Sequence, residues 1–284
     1  MDNYLKKQII SYMGNKRKMV PHIEAILTNI KKKCNKEKLL LGDGFSGSGI
    51  VSRLFKLHAE ILFSNDIAGY SKTLNACYLE TPTKDQLNRI QNYIDAANDF
   101  ANTHSQQVPS WVRTHWAPTC DNIEEGERVY YTPENARRID YYRFFIENTP
   151  SSYRPFLLAP LLVEASIHTN TSGQFAAFYK MKNKGHYGGK TGTDLKRITA
   201  PIRLQLPIFS PVKCKAVVSQ KDTNECVTKI PELDLVYYDP PYNKHPYSIY
   251  YFLLDIINNW DRTQDIPQTL RGQPKNWKKS KYNS

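Results

Sequence analysis

The chain has 284 residues, carries 39 Lys and Arg against 27 Asp and Glu, and has a formal net charge of +12. That length supplies a full core with room for a subsidiary lobe, and 40% hydrophobic content excludes disorder throughout. A positive field of this size favours a polyanion, most simply nucleic acid, through counterion release.

The first twenty residues are basic and aromatic and contain the turn Tyr12-Met13-Gly14-Asn15-Lys16. Pro21 opens an expected helix that reaches Lys33, with His22, Ile23, Ile26, Leu27 and Ile30 on its buried side. Lys31, Lys32 and Lys33 sit near its C-terminus, where they suit the helix dipole. Leu39-Leu40-Leu41 reads as a short buried strand. The loop Gly42-Asp43-Gly44-Phe45-Ser46-Gly47-Ser48-Gly49 then leads into a helix over 50–57. A second strand, Ile61-Leu62-Phe63-Ser64, ends at Asn65-Asp66, and a helix is expected over 68–79. Strand, glycine loop, helix, strand and acid in this order form the first half of a doubly wound nucleotide-binding sheet.

Between about 81 and 205 the character changes. Stretches 84–103 and 134–147 read as polar, amphipathic helices, joined by segments such as Trp111-Val112-Arg113-Thr114-His115-Trp116. Leu157 to Ile167 reads as a buried helix. Residues 180–197 form an expected Gly- and Lys-rich loop, with Lys180, Lys182, Lys184, Lys190, Lys196 and Arg197 available to phosphates. Such contacts position a duplex without reading its sequence. The 19 tyrosines among these cations suit a surface that touches bases as well as phosphates. The sheet resumes with a strand over 214–219 and another over 233–238. Asp239-Pro240-Pro241-Tyr242 follows directly, a helix is expected from Ser248 to Trp260, and 263–284 is polar and basic. The organisation is therefore an α/β domain in two halves, 1–80 and 206–284, with a mainly helical insert over 81–205.

Five cysteines, Cys34, Cys77, Cys120, Cys214 and Cys226, form no CxxC pair, and no His stands at zinc spacing. They read as reduced thiols, and no metal site is expected. No apolar run is long enough to span a membrane, and the N-terminus lacks a signal-peptide core, so a cytoplasmic protein is expected.

The chemistry gathers on three segments. Gly47 and Gly49 let backbone approach a ligand closely at a helix N-terminus, but the loop lacks the GK[ST] of a phosphate clamp. Asp66 stands where this topology places a ribose-hydroxyl acceptor, a position an N-cap would favour equally. Asp239-Pro240-Pro241-Tyr242 holds a carboxylate, a carbonyl and a flat ring on a stiff backbone at a strand's carboxyl end. A nucleoside cofactor without a phosphate clamp fits, and S-adenosylmethionine fits best, with its ribose, adenine and zwitterionic methionine end.

These segments together resemble the Dam-like family of DNA adenine-N6 methyltransferases, in the alpha arrangement of cofactor half, target-recognition insert and catalytic tetrapeptide. Tyr238 through Asn243, with Tyr247, Tyr250 and Tyr251, is similar to type II restriction–modification members. The resemblance implies a Rossmann-like, S-adenosylmethionine-dependent methyltransferase sheet with an inserted target-recognition lobe. It implies double-stranded DNA as substrate and a cognate restriction endonuclease as partner. By position it implies Tyr12 and Lys16 at the methionine end of the cofactor. Asp43, Phe45, Gly47 and Gly49 would shape the pocket, Asp66 would meet the ribose and Asp222 the adenine. Asp239, Pro240 and Tyr242 would carry catalysis on a flipped adenine, with Asp239 also lining the cofactor site. Asn170, Gly173, Gln174 and Phe175 loosely resemble a family segment at the edge of the insert. Family members carry further strands after the tetrapeptide. The tail here offers one clear helix and a polar end, so those strands are expected to be absent, or the sheet to be completed differently. Two other readings stay open on the residues: an RNA adenine or cytosine-N4 methyltransferase on the same scaffold, and a truncated, inactive DNA-binding remnant.

Overall fold

The computed structural model describes residues 3–103, 107–192, 194–241, 246–275 and 280–282. In chain order its helices are α1 (Asn3–Lys6), a 3-10 turn (Lys16–Met19), α2 (Val20–Cys34), α3 (Ile50–His58), α4 (Gly69–Tyr78), α5 (Lys84–Asn102), α6 (Val112–His115), α7 (Pro133–Glu147), α8 (Arg154–Ile167), α9 (Leu195–Thr199), α10 (Thr223–Cys226) and α11 (Tyr247–Asn259). Its strands are β1 (Leu39–Asp43), β2 (Ala59–Asp66), β3 (Lys180–Met181), β4 (Lys184–Gly185), β5 (Lys215–Gln220) and β6 (Leu235–Tyr237). The described chain falls into two compact units, one of 3–87, 207–241 and 280–282, the other of 88–206 and 246–275.

The first unit is built on a parallel sheet of order β5-β2-β1-β6. Parallel neighbours need crossover connections, which α3 and its loop supply between β1 and β2. Leu39 and Leu41 on β1, Leu62 on β2, and Leu54 and Phe55 on α3 are fully buried together with Leu27 of α2. The apolar spacing Ile50, Val51, Leu54, Phe55 gives α3 one face for the sheet. On α2 the buried stripe is Val20, Ile23 and Leu27, while His22 and Ile26 face solvent. The reason is angular: residues three or four apart share a face, and His22 and Ile26 lie about 100° away from that stripe. Asn35, left-handed at φ +51°, ends the helix. Lys56 is wholly buried, and its ammonium donates to Leu79 O, Glu80 O and Thr81 Oγ1 at 2.6–2.7 Å. It satisfies carbonyls just beyond the end of α4.

The second unit is mainly helical. Its core is notably tyrosine-rich: Tyr130, Tyr131, Tyr142 and Tyr251 are almost completely buried. The hydroxyls of Tyr130, Tyr131 and Tyr142 donate to Phe175 O, Ala165 O and Asn98 Oδ1 at 2.9, 3.1 and 2.7 Å. These rings are therefore core, not the base-contacting surface that composition led us to expect. A buried tyrosine contributes a large apolar face and needs one partner for its hydroxyl, and each of these three has one. Trp111 likewise packs edge-on against Trp116 and Trp260, at 5.6 and 5.1 Å.

Residues 180–185, expected as open loop, form a short antiparallel hairpin in which Lys180 pairs with Gly185. Lys182 takes φ +56° at its turn. Sequence periodicity could not reveal strands of two residues each. No helix among the described residues is long and apolar enough to cross a membrane.

Candidate active site

Because β5, β2, β1 and β6 run parallel, their carboxyl ends share one edge of the sheet, where open α/β folds bind ligands. The order switches direction at β1: its crossover leads to β2 on one side, and β6 lies on the other. Asp43, Asp66, Asp222 and Asp239 all stand at or just beyond strand ends on this edge.

The loop after β1 is stitched to its neighbours by backbone. Gly44 N donates to Tyr237 O at 3.0 Å, and Ser46 N donates to Asn65 O at 2.9 Å. Gly47 N donates to Asp66 Oδ2 at 2.7 Å, and Ala68 N donates to Asp66 Oδ1 at 2.9 Å. Asp66 thus clamps the glycine loop as well as the start of α4. Burial pushes its carboxyl up, against the pull of these N–H donors.

Three glycines make room for side chains that define the site. Gly47, at φ +50°, would place a Cβ 2.7 Å from the Tyr12 ring. Gly49, at φ +79°, caps α3 and would drive a Cβ to 2.6 Å from Asn75 Oδ1. Gly44 would bring one to 2.8 Å from the ring of Tyr238, which is 50% exposed.

Asp43 is 2% exposed. Its Oδ2 accepts from Ser52 Oγ at 2.7 Å, while Oδ1 has no hydrogen-bond partner. Burial raises its carboxyl to about 7, with the Asp66 charge adding to the rise. Lys16 Nζ lies 3.0 Å from Asp239 Oδ2, the two side chains 22% and 32% exposed. The Tyr12–Lys16 turn is thereby brought to the β6 end of the edge. Asp222 caps α10, its Oδ1 accepting from Asn224 N at 2.9 Å and Asn224 Nδ2 at 2.8 Å. Pro240 is half-buried beside Asp239. Tyr242 lies outside the described residues.

Several further residues at this edge were not singled out from the sequence. Asn65 joins three segments: its Oδ1 accepts from Ser219 Oγ at 2.6 Å and Lys221 N at 3.1 Å, and its Nδ2 donates to Lys221 O at 3.0 Å. Thr223 Oγ1 donates to Gly44 O at 2.7 Å. Phe45 meets Tyr282 edge-on. The Asn65-Asp66 pair at a strand end was a visible cue; the distant Thr223 and Tyr282 had none.

In the second unit, Lys180, Lys182, Lys184, Lys190 and Lys196 are exposed. Arg197 is different. Its guanidinium donates to Ile167 O, to Thr169 O at 2.8 Å and to Thr171 O at 2.9 Å, and it pairs with Asp194 at 3.3 Å. Asn170 is buried, donating to Val129 O at 2.8 Å and accepting from Gly188 N at 3.2 Å.

A parallel sheet with a glycine loop after β1, an acid after β2 and Asp-Pro-Pro after β6 defines a Rossmann-like methyltransferase. The family model of D12 class N6 adenine-specific DNA methyltransferases matches residues 12–283, and the chain belongs to this family. It is 30% identical over 280 residues to the type II methyltransferase M.CviAII of Paramecium bursaria Chlorella virus 1, covering 96% of this chain and 75% of that protein. It is 30% identical over 260 residues to the type II methyltransferase M.NlaIII of Neisseria lactamica, covering 89% and 70%. Identity to the modification methylase LlaI of Lactococcus lactis subsp. lactis is 28%, over 92% of this chain and 40% of that protein. No solved structure gives a significant match. As a member of this family the protein acts on DNA and requires a methyl donor.

Proposed function

We propose that the protein methylates N6 of a flipped adenine in double-stranded DNA, with S-adenosylmethionine as donor, as the modification partner of a cytoplasmic restriction system. The observation that carries this is the Lys16–Asp239 pair at 3.0 Å, which gathers the N-terminal turn onto the Asp-Pro-Pro strand end. That its relatives are named type II methyltransferases and a modification methylase supports the restriction setting, and a cognate endonuclease is part of the same proposal.

The residues fit such a cofactor. Asp66 is an acceptor-only carboxylate at the end of β2, fixed by Gly47 N and Ala68 N, which suits a contact to ribose hydroxyls. Asp43 Oδ1 is a buried acceptor with no donor, which suits an ammonium. Tyr12, Phe45, Gly47 and Gly49 would form the walls, Asp222 the adenine end, and Lys16 the counter-charge to a carboxylate. Bound S-adenosylmethionine supplies an electrophilic methyl on a sulfonium.

The chain's own part is to prepare a poor nucleophile. The lone pair of adenine's exocyclic amine is delocalised into the ring. Asp239 and the Pro240 carbonyl accept its two N–H bonds, which orients the lone pair and stabilises positive charge growing on nitrogen. Tyr242 is the ring proposed to stack on the extruded base. The second unit is proposed as the target-recognition lobe, with Lys180, Lys182, Lys184, Lys190 and Lys196 on phosphates and Arg197 holding the lobe together from within.

The test is methyl transfer from tritiated cofactor to duplex DNA, RNA or no nucleic acid. Label is expected on duplex DNA and is lost in Asp239→Ala. Full transfer by that variant would refute the role of the carboxylate.

A further inference from the structure

Tyr282 belongs to the first unit, although it is remote in sequence from every strand there. Its ring meets Phe45 edge-on, with centroids 5.5 Å apart and planes at 86°. Its hydroxyl donates to Asn224 Oδ1 at 2.9 Å, and Asn224 donates in turn to Asp222 Oδ1 at 2.8 Å. The charge of Lys281 acts on the same Asp222 carboxylate. One ring therefore bridges the loop after β1 and the turn after β5.

Those two loops carry Phe45, a pocket wall, and Asp222, the adenine end of the proposed cofactor site, and the inference rests on that reading. A flat ring held between two others needs parallel planes about 7 Å apart, twice a carbon–carbon contact of about 3.5 Å. Rings 5.5 Å apart and crossed at 86° leave no such slot. Tyr282 fills the space itself.

We propose that Ser280–Tyr282 is an internal competitor: the Tyr282 ring occupies the purine position of the nucleoside cofactor and leaves it when the cofactor binds. Among the described residues, an edge-to-face pair with Phe45 and an exposed hydrogen bond to Asn224 tie the ring to the two loops, both weak contacts. A docked strap of that strength lowers apparent cofactor affinity about 3- to 10-fold, because only the undocked fraction is competent.

Calorimetric titration of the full chain with S-adenosylhomocysteine, which cannot turn over, tests this. Tyr282→Ala is expected to bind about 3- to 10-fold tighter than the parent, with Tyr282→Phe between them. A 3-fluorotyrosine at position 282 is expected to shift its fluorine resonance toward a solvent-exposed value as ligand saturates. Equal binding by Tyr282→Ala, or an unmoved resonance at saturation, overturns the strap. Weaker binding by Tyr282→Ala makes the ring a pocket wall and overturns displacement. Absence of binding by parent and variants alike at millimolar ligand overturns the cofactor reading, and the strap with it.

Discussion

Asp43→Asn should change how stability depends on pH. The Asp43 carboxyl is raised from 3.8 to about 7 because it is desolvated under the glycine loop, with the Asp66 charge adding to the rise. The folded protein therefore holds a proton that the unfolded chain releases. Stability from this group is present below about pH 4 and is lost as pH rises through about 7. The full displacement is worth a ceiling of about 4 kcal/mol, at 1.36 kcal/mol per pH unit. Between pH 5 and 8 the part still to be lost is about 2 to 3 kcal/mol. An amide does not titrate, so urea unfolding of parent and variant at pH 5, 6, 7 and 8 should show the variant gaining on the parent by that amount. An offset at pH 5 is expected from amide hydrogens facing the position of Oδ1, and it does not affect the slope. A difference that stays constant from pH 5 to 8 would refute the buried, raised carboxyl.

Gly47→Ala should cost about 1 to 2 kcal/mol from its left-handed φ alone, with more from the clash with Tyr12, read by thermal unfolding. An unchanged midpoint would mean the loop relaxes freely. Lys56→Met should lower stability by about 2 to 3 kcal/mol, because Leu79 O and Glu80 O lose their buried donor. Chemical denaturation checks this, and a neutral result would mean that solvent reaches those carbonyls. Replacing Lys180, Lys182 and Lys184 together with Gln should flatten the salt dependence of duplex binding. If each meets one phosphate, the log–log slope falls by about 0.9 per lysine. An unchanged slope would place the DNA elsewhere.

The local elements were largely legible in the chain because their causes are local. The α5 span Lys84–Asn102, the α7 span Pro133–Glu147 and the α11 span Tyr247–Asn259 lie within a residue or two of the spacing-based expectation. Apolar period, Pro at a first turn and Gly after a strand are short-range signals. The strand-end motifs were visible for the same reason: glycine loop, Asp66 and Asp-Pro-Pro are contiguous. Their identities and order carry the resemblance to the adenine-methyltransferase family, which the family match bears out.

Only the tertiary structure decided which side chains those motifs meet. Nothing adjacent in sequence says that Lys16 pairs with Asp239, 223 positions later, or that Asp66 accepts from Gly47 instead of merely capping a helix. Burial also reassigns residues of identical type. Eight tyrosines, Tyr4, Tyr70, Tyr78, Tyr130, Tyr131, Tyr141, Tyr142 and Tyr251, are core, while Tyr238 is half exposed at the site. Arg197 is tied to carbonyls while Lys196 beside it is exposed. Composition supplies a residue's charge and shape. Long-range packing decides whether water, a carbonyl or a ligand answers it, because desolvation depends on neighbours that the chain brings from far away.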